Sequence, residues 1–113
     1  MPTPHAQERA SERFGVHPDE AAGFLVAALC GDGDNESAAF VPRHRWEFYK
    51  WGYHPTAADE LHAAMYVNRF SWRGAEHQIV LLVSRTDENL RTRQARIITA
   101  WAVDGALPDL YGR

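Results

Sequence analysis

The chain holds one cysteine, Cys30, so no disulfide can form within it. That thiol ends the apolar run Ala27-Ala28-Leu29-Cys30, where a cysteine behaves as a small buried hydrophobe. Long apolar runs are missing too: nothing reaches the length of a membrane span, and Met1 to His5 lacks the apolar core of a secretory signal. The expectation is a cytoplasmic protein with no membrane partner. Neither the P-loop pattern G-x-x-x-x-G-K-S/T nor G-x-G-x-x-G occurs, which disfavours the common kinds of nucleotide-dependent chemistry. The six histidines show none of the H-E-x-x-H or Cys/His spacings of zinc sites, so no metal and no other cofactor is expected. Asp32, Asp34 and Glu36 suggest a calcium loop, but Ser37 and Arg43 stand where that motif needs glycine and glutamate. No serine sits in a G-x-S-x-G elbow. The chemistry that remains open is acid–base and electrostatic.

Lysine is almost absent as well, with one Lys against eleven Arg. A planar guanidinium suits bidentate phosphate binding, although GC-rich coding produces the same bias. The net charge of −3 argues against a protein that coats nucleic acid non-specifically. That charge is unevenly placed: residues 1 to 36 carry seven acids and two arginines, whereas residues 37 to 103 carry nine basic residues and six acids.

What is present describes one folded domain over residues 1–113, 45% apolar and 12% aromatic, without repeats or low-complexity tracts. Thr3-Pro4 is a helix start, with a capping hydroxyl and a proline whose missing N–H costs nothing there. The first helix should run from Pro4 to Phe14 and stop at Gly15. Ala6, Ala10 and Phe14 form its apolar edge, and His5, Arg9 and Arg13 repeat at the same spacing on a polar edge. Pro18-Asp19-Glu20 opens a second helix, in which Ala21, Phe24, Leu25, Ala28 and Leu29 make one buried face before Gly31.

From Phe40 onward the period changes. Arg45 to Trp51 alternates and is rich in aromatics, which predicts a half-buried strand. Gly52 to Leu61 reads as a loop with a helical turn after Pro55. Three further strands are expected at Ala63 to Trp72, His77 to Arg85 and Ala95 to Val103, the first two joined through Arg73-Gly74-Ala75-Glu76 as a hairpin. Ile79 to Val83 is apolar on both faces and should be central. Thr86 to Gln94 is a polar loop, and a turn and tail follow Val103. The fold class is α+β, two N-terminal helices packed on an antiparallel sheet of about four strands.

Cleaving RNA without a metal needs a base for the 2′-OH proton, an acid for the leaving 5′ oxygen, and cations for the charged phosphorane. His5, Arg9 and Arg13 on the first helix, with Arg96 and Thr99 on the last strand, carry such groups. Arg96 and Thr99 are three apart and share a face only if a bulge intervenes. His77, at the start of the central strand, is a further proton-transfer candidate. The plainer reading makes the helix charges a solvated surface and His77 an exposed strand end.

The opening His5 to Val16 followed by Pro18-Asp19-Glu20 resembles the HA-x-x-R-x-x-x-R-x-G-I/V start of small bacterial and phage proteins. Those proteins are related to the superfamily of metal-independent ribonucleases that includes barnase, EndoU, the tRNase colicins and RelE. Arg96-Ile97-Ile98-Thr99-Ala100-Trp101 is similar to their final strand. The resemblance implies a toxin or mobile-element ribonuclease acting on tRNA or mRNA, with an antitoxin as a partner. By the resemblance His5 and Arg9 would be site residues of the first helix and Arg96 and Thr99 those of the last strand; joined to the reading of the residues above, His5, His77 and Arg96 are the expected catalytic groups and Arg9, Arg13 and Thr99 the expected phosphate-binding ones. Net acidity and many aromatics favour a different expectation, a non-enzymatic phage or mobile-element protein that occupies a host protein's site. A homodimer paired through a strand edge is compatible with either.

Overall fold

Thr3 starts the first helix as its sequence predicts. In the computed structural model its hydroxyl accepts the N–H of Ala6 at 3.1 Å, and α1 (Pro4–Phe14) ends at Gly15, whose positive φ of 68° suits a residue without a Cβ. The structure describes residues 1–50, 53–85 and 94–103. Trp51, Gly52, most of the loop expected from Thr86 to Gln94 and the tail after Val103 lie outside them.

A single 3-10 turn over Pro18–Glu20 leads into α2 (Ala21–Cys30). The two helices lie on one face of an antiparallel sheet of four strands in the order β1 (Ala39–Val41), β2 (Ala63–Trp72), β3 (Ala75–Ser84) and β4 (Ile97–Ala102). Two short helices complete the described residues: a 3-10 helix over Arg43–Tyr49 and α3 (Ala57–His62). No helix among the described residues is long and apolar enough to cross a membrane.

The sheet has a core on each side. Ala6 and Ala10 of α1 and Phe24, Leu25, Ala28 and Leu29 of α2 cover Phe70, Ile79, Leu81, Val83, Ile97 and Ala100. On the opposite face Trp46 and Tyr49 pack with Met65, Val67, Val80, Leu82 and Trp101. This is why β3 reads as apolar on both faces.

The segment expected as a strand, Arg45 to Trp51, forms the 3-10 helix instead over its described part. With three residues per turn, positions i and i+3 eclipse, so Arg43, Trp46 and Tyr49 make one row. Trp46 and Tyr49 are buried by that row, and two indole bonds fix it: Trp46 Nε1 donates to Val41 O at 3.1 Å and Trp101 Nε1 to Tyr49 O at 2.8 Å. An aromatic segment that buries every third side chain is easily mistaken for one that buries every second. The place of the expected strand is taken by β1, three residues long and too short to show a period.

Both sheet edges are partly closed by side chains. Along β4, Thr3 donates from its N–H to Ile97 O and from its hydroxyl to Ile98 O, and Arg13 Nη1 donates to Ala100 O at 2.9 Å. The first helix thereby takes up carbonyls a fifth strand would use. Along β2, beyond the end of β1, the Asn35 amide imitates a partner strand, accepting the Ser71 N–H at 2.9 Å and donating to Ser71 O at 2.9 Å. Asp32 holds that amide in place, and its own carboxyl is kept below the usual carboxylate range, first by the Asp34 N–H and then by the Asn35 side chain. Replacing Asn35 with Ala should cost about 1 kcal/mol and lower Tm by roughly 5 °C, because two backbone groups of Ser71 lose their partner and the loop loses its tie to Asp32. Thermal unfolding followed by circular dichroism checks this; an unchanged Tm would mean that water replaces the amide at no cost.

Candidate functional site

β3 is longer than β4, and the difference creates the site. The last β4 partner in the ladder is Ala102 opposite Ile79, and the Val103 N–H still donates to Gln78 O at 3.1 Å, so among the described residues Glu76 and His77 are where β3 has no strand beside it. Alternation puts neighbouring side chains of a strand on opposite faces, but at a bare edge both faces open to the same space. A cleft of about 600 Å³ forms there, bounded by Arg13 and Phe14 at the end of α1, by Arg69 on β2, and by Glu76, His77 and Gln78 on β3.

His77 belongs to the helix-covered face, opposite Phe70 in the register. Its ring meets those of Phe24, Phe14 and Phe70 at 5.3, 5.7 and 5.8 Å between centroids. Burial against these rings penalises the charged imidazolium and moves its pKa below the ordinary histidine value of 6.5, so the imidazole is neutral at neutral pH and can accept a proton. On the other face Arg69 donates to Gln78 Oε1 at 3.1 Å and its Nε stands 3.5 Å from a Glu76 carboxylate oxygen. Arg13 crosses the β4 edge between the two faces. One of its five donors goes to Ala100 O, and among the described residues it makes no ion pair. Its positive charge is felt by Tyr53, whose pKa is pushed up to about 12 by burial and by the Asp59 carboxylate that accepts its hydroxyl proton at 3.0 Å, with Arg13 acting in the opposite direction.

Of the residues singled out in the sequence, His77 and Arg13 therefore share one cleft. His5 is exposed on the first turn of α1. Arg9 pairs with Glu12 at 2.6 Å on the same helix, an i,i+3 contact between solvated side chains. Arg96 and Thr99 do fall on one sheet face, because β4 has its irregularity there: Leu82 pairs with Thr99 and the next residue, Val83, with Ile97, leaving Ile98 as the extra residue of a bulge. That face is the one turned away from α1. Thr99 is 2% exposed opposite Leu82, and Arg96 lines a separate hollow of about 240 Å³ with Ile98, Ser84 and α3 residues Asp59 and His62. The structure thus does not gather His5, Arg9, Arg96 and Thr99 around a common point. Among the described residues no three His, Cys, Asp or Glu side chains are grouped so as to hold a metal.

Arg69, Glu76 and Gln78 were not legible as site residues. The signal was the hairpin register: β2 and β3 are joined by the two residues Arg73 and Gly74, both at positive φ, and counting outward from them pairs Phe70 with His77 and Arg69 with Gln78. A hairpin drawn through four loop residues places those side chains wrongly.

No protein-family model matches this chain, and no curated protein or solved structure matches it either.

Proposed function

We propose that this chain is a small ribonuclease-like protein that binds the RNA backbone in the His77 cleft and cuts it without a cofactor. The observation that carries the reading is the company His77 keeps: an imidazole held neutral by aromatic burial, sharing one open cleft with two guanidiniums. In this reading His77 takes the 2′-OH proton. The 2′ oxygen attacks phosphorus, Arg13 and Arg69 stabilise the charge on the phosphorane, and the 5′ oxygen leaves with a proton from water in the open cleft. The products are a 2′,3′-cyclic phosphate and a free 5′-hydroxyl. Glu76 and Gln78 act as positioning residues for Arg69. A toxin or mobile-element role in the cytoplasm, restrained by an antitoxin, is the biological setting proposed for such an activity.

A second reading, a non-enzymatic protein that binds and blocks a host protein, is favoured by the exposure of Phe40, Phe48 and Leu61, at 47%, 54% and 66%. One experiment separates the two. The purified protein is incubated with total tRNA and with a long single-stranded RNA in EDTA, and the new ends are characterised. Cleavage leaving 2′,3′-cyclic phosphates is the expected result. Intact RNA after incubation with well-folded protein would shift the weight to the binding reading.

A further inference from the structure

The 3-10 helix Arg43–Tyr49 does more than cover the sheet. Its buried row is Trp46 and Tyr49, His44, Glu47 and Phe48 are exposed and Arg45 is half-buried, and two arginines lie on aromatic rings: the Arg43 guanidinium is 4.9 Å from the centre of the Trp46 ring and that of Arg45 is 4.7 Å from Phe48. Phe48 is 54% exposed. A large ring on the surface, paired with a flat cation, is the surface on which an unstacked base settles, since every base has a π-face and guanidinium planes stack as rings do.

Charge points the same way. Residues 43 to 50 carry Arg43, Arg45 and Lys50 against Glu47, in a chain whose net charge is −3. A local excess of positive charge against an acidic background selects a polyanion for this patch rather than an acidic surface at large. The neighbouring Arg43–Glu60 contact, at 3.9 Å with both side chains about half exposed, is loose enough to open.

Position supplies the third argument. The 3-10 helix packs on the sheet face of Val80 and Trp101, and Arg69 and Gln78 of the His77 cleft stand on that same face by their register with Val67 and Val80. Arg69 and Gln78 of the cleft therefore lie on the same side of the sheet as the aromatic patch.

We infer that the 3-10 helix Arg43–Tyr49 is a base-stacking platform for single-stranded RNA, with Phe48 and Arg45 as its contact residues; the choice of RNA rests on the reading of the His77 cleft. Bases stack on Phe48, and Arg45 both extends the stacking plane and neutralises a phosphate.

The test uses a fluorescent 2′-O-methyl oligouridine, which lacks the attacking hydroxyl and so reports binding alone, with fluorescence anisotropy as the readout. Phe48→Ala should raise Kd about tenfold and leave the slope of log Kd against log salt unchanged, as a lost stacking contact does. Arg45→Gln should also weaken binding and reduce that slope by roughly 0.7, one phosphate contact on a single strand. Phe48 is exposed and Arg45 is half-buried, and an unchanged circular dichroism melt verifies the fold of each variant. Wild-type affinity recovered in Phe48→Ala, equal affinity for duplex and single-stranded RNA, or no binding by the wild type would overturn the platform. The cleavage assay keeps the two claims apart. Binding that falls in Phe48→Ala while no form cuts RNA sustains the platform and removes catalysis. Cleavage and binding that are both untouched by Phe48→Ala sustain catalysis and remove the platform.

Discussion

Replacing His77 with phenylalanine should reduce cleavage of single-stranded RNA by at least about 100-fold while leaving the protein folded, because positioned proton transfer commonly contributes factors of that size or more. Phenylalanine is the informative replacement. The imidazole already sits among Phe14, Phe24 and Phe70, so another ring keeps the packing and removes only the titrating nitrogens. The wild-type pH profile follows from the direction of the shift. A base must be neutral to act, and the His77 pKa lies below 6.5, so the rate should fall as pH drops through that lowered value and be level at neutral pH. Stability carries the same sign. The unfolded chain binds the His77 proton more readily than the folded one, so this contribution is full above 6.5 and is lost as pH falls towards the folded-state value. His77→Phe should flatten that part of the stability curve. A variant that cuts RNA at the wild-type rate would remove His77 from the mechanism, and an unchanged pH profile in the variant would assign the titration to another group.

Trp101→Ala should be the most damaging single change to the fold, with a loss of about 4 kcal/mol in chemical denaturation. Trp101 is 2% exposed in the core beneath the 3-10 helix, its indole N–H donates to Tyr49 O, and its ring stacks on Tyr53 at 4.3 Å and 13°. Truncation removes a large apolar surface, opens a cavity between Val80 and Tyr49, and leaves a buried carbonyl without its donor. Trp101→Phe should cost less, roughly 2 kcal/mol, since much of the packing survives and chiefly the hydrogen bond is lost. The functional consequence reaches further than stability. The same bond fastens the 3-10 helix, so Trp101→Phe should weaken binding of the uncleavable oligouridine although residue 101 is too deeply buried to touch it. An alanine variant as stable as the wild type would mean that the second core is not held as described.

The helices were legible because their signals are local. Thr3-Pro4 and Gly15 bracket α1, and the spacing of Phe24, Leu25, Ala28 and Leu29 marks the buried face of α2. The β2–β3 hairpin was legible from the short link between two strand-like runs, although that link reads as the four residues Arg73 to Glu76 and the structure turns on Arg73 and Gly74 alone. Residues 43 to 49 were not, since only the bonds to Val41 O and from Trp101 reveal what Trp46 and Tyr49 are buried against, and both partners belong to the sheet. The arrangement of the candidate residues was hidden for a related reason. The sequence suggests that charges of one helix and one strand belong together, as Arg9 with Arg96, but Thr99 pairs with Leu82 on the face opposite α1 and the bulge at Ile98 turns Arg96 to that same face. Arg13 and His77 line one cleft because of where β4 ends relative to β3, and strand length relative to a neighbour is a tertiary property. His77 itself was visible only as a titratable residue at a strand start; its aromatic surroundings come from both helices and from β2.

The most direct test of the central claim, that the His77 cleft receives a phosphodiester, is an NMR titration of the His77 imidazole with pH, alone and with a saturating 2′-O-methyl dinucleotide. The account predicts a pKa below 6.5 in the free protein and a clear rise on ligand binding, because a phosphate held by Arg13 and Arg69 beside the ring favours the imidazolium. A His77 pKa that the bound dinucleotide leaves unmoved would contradict it.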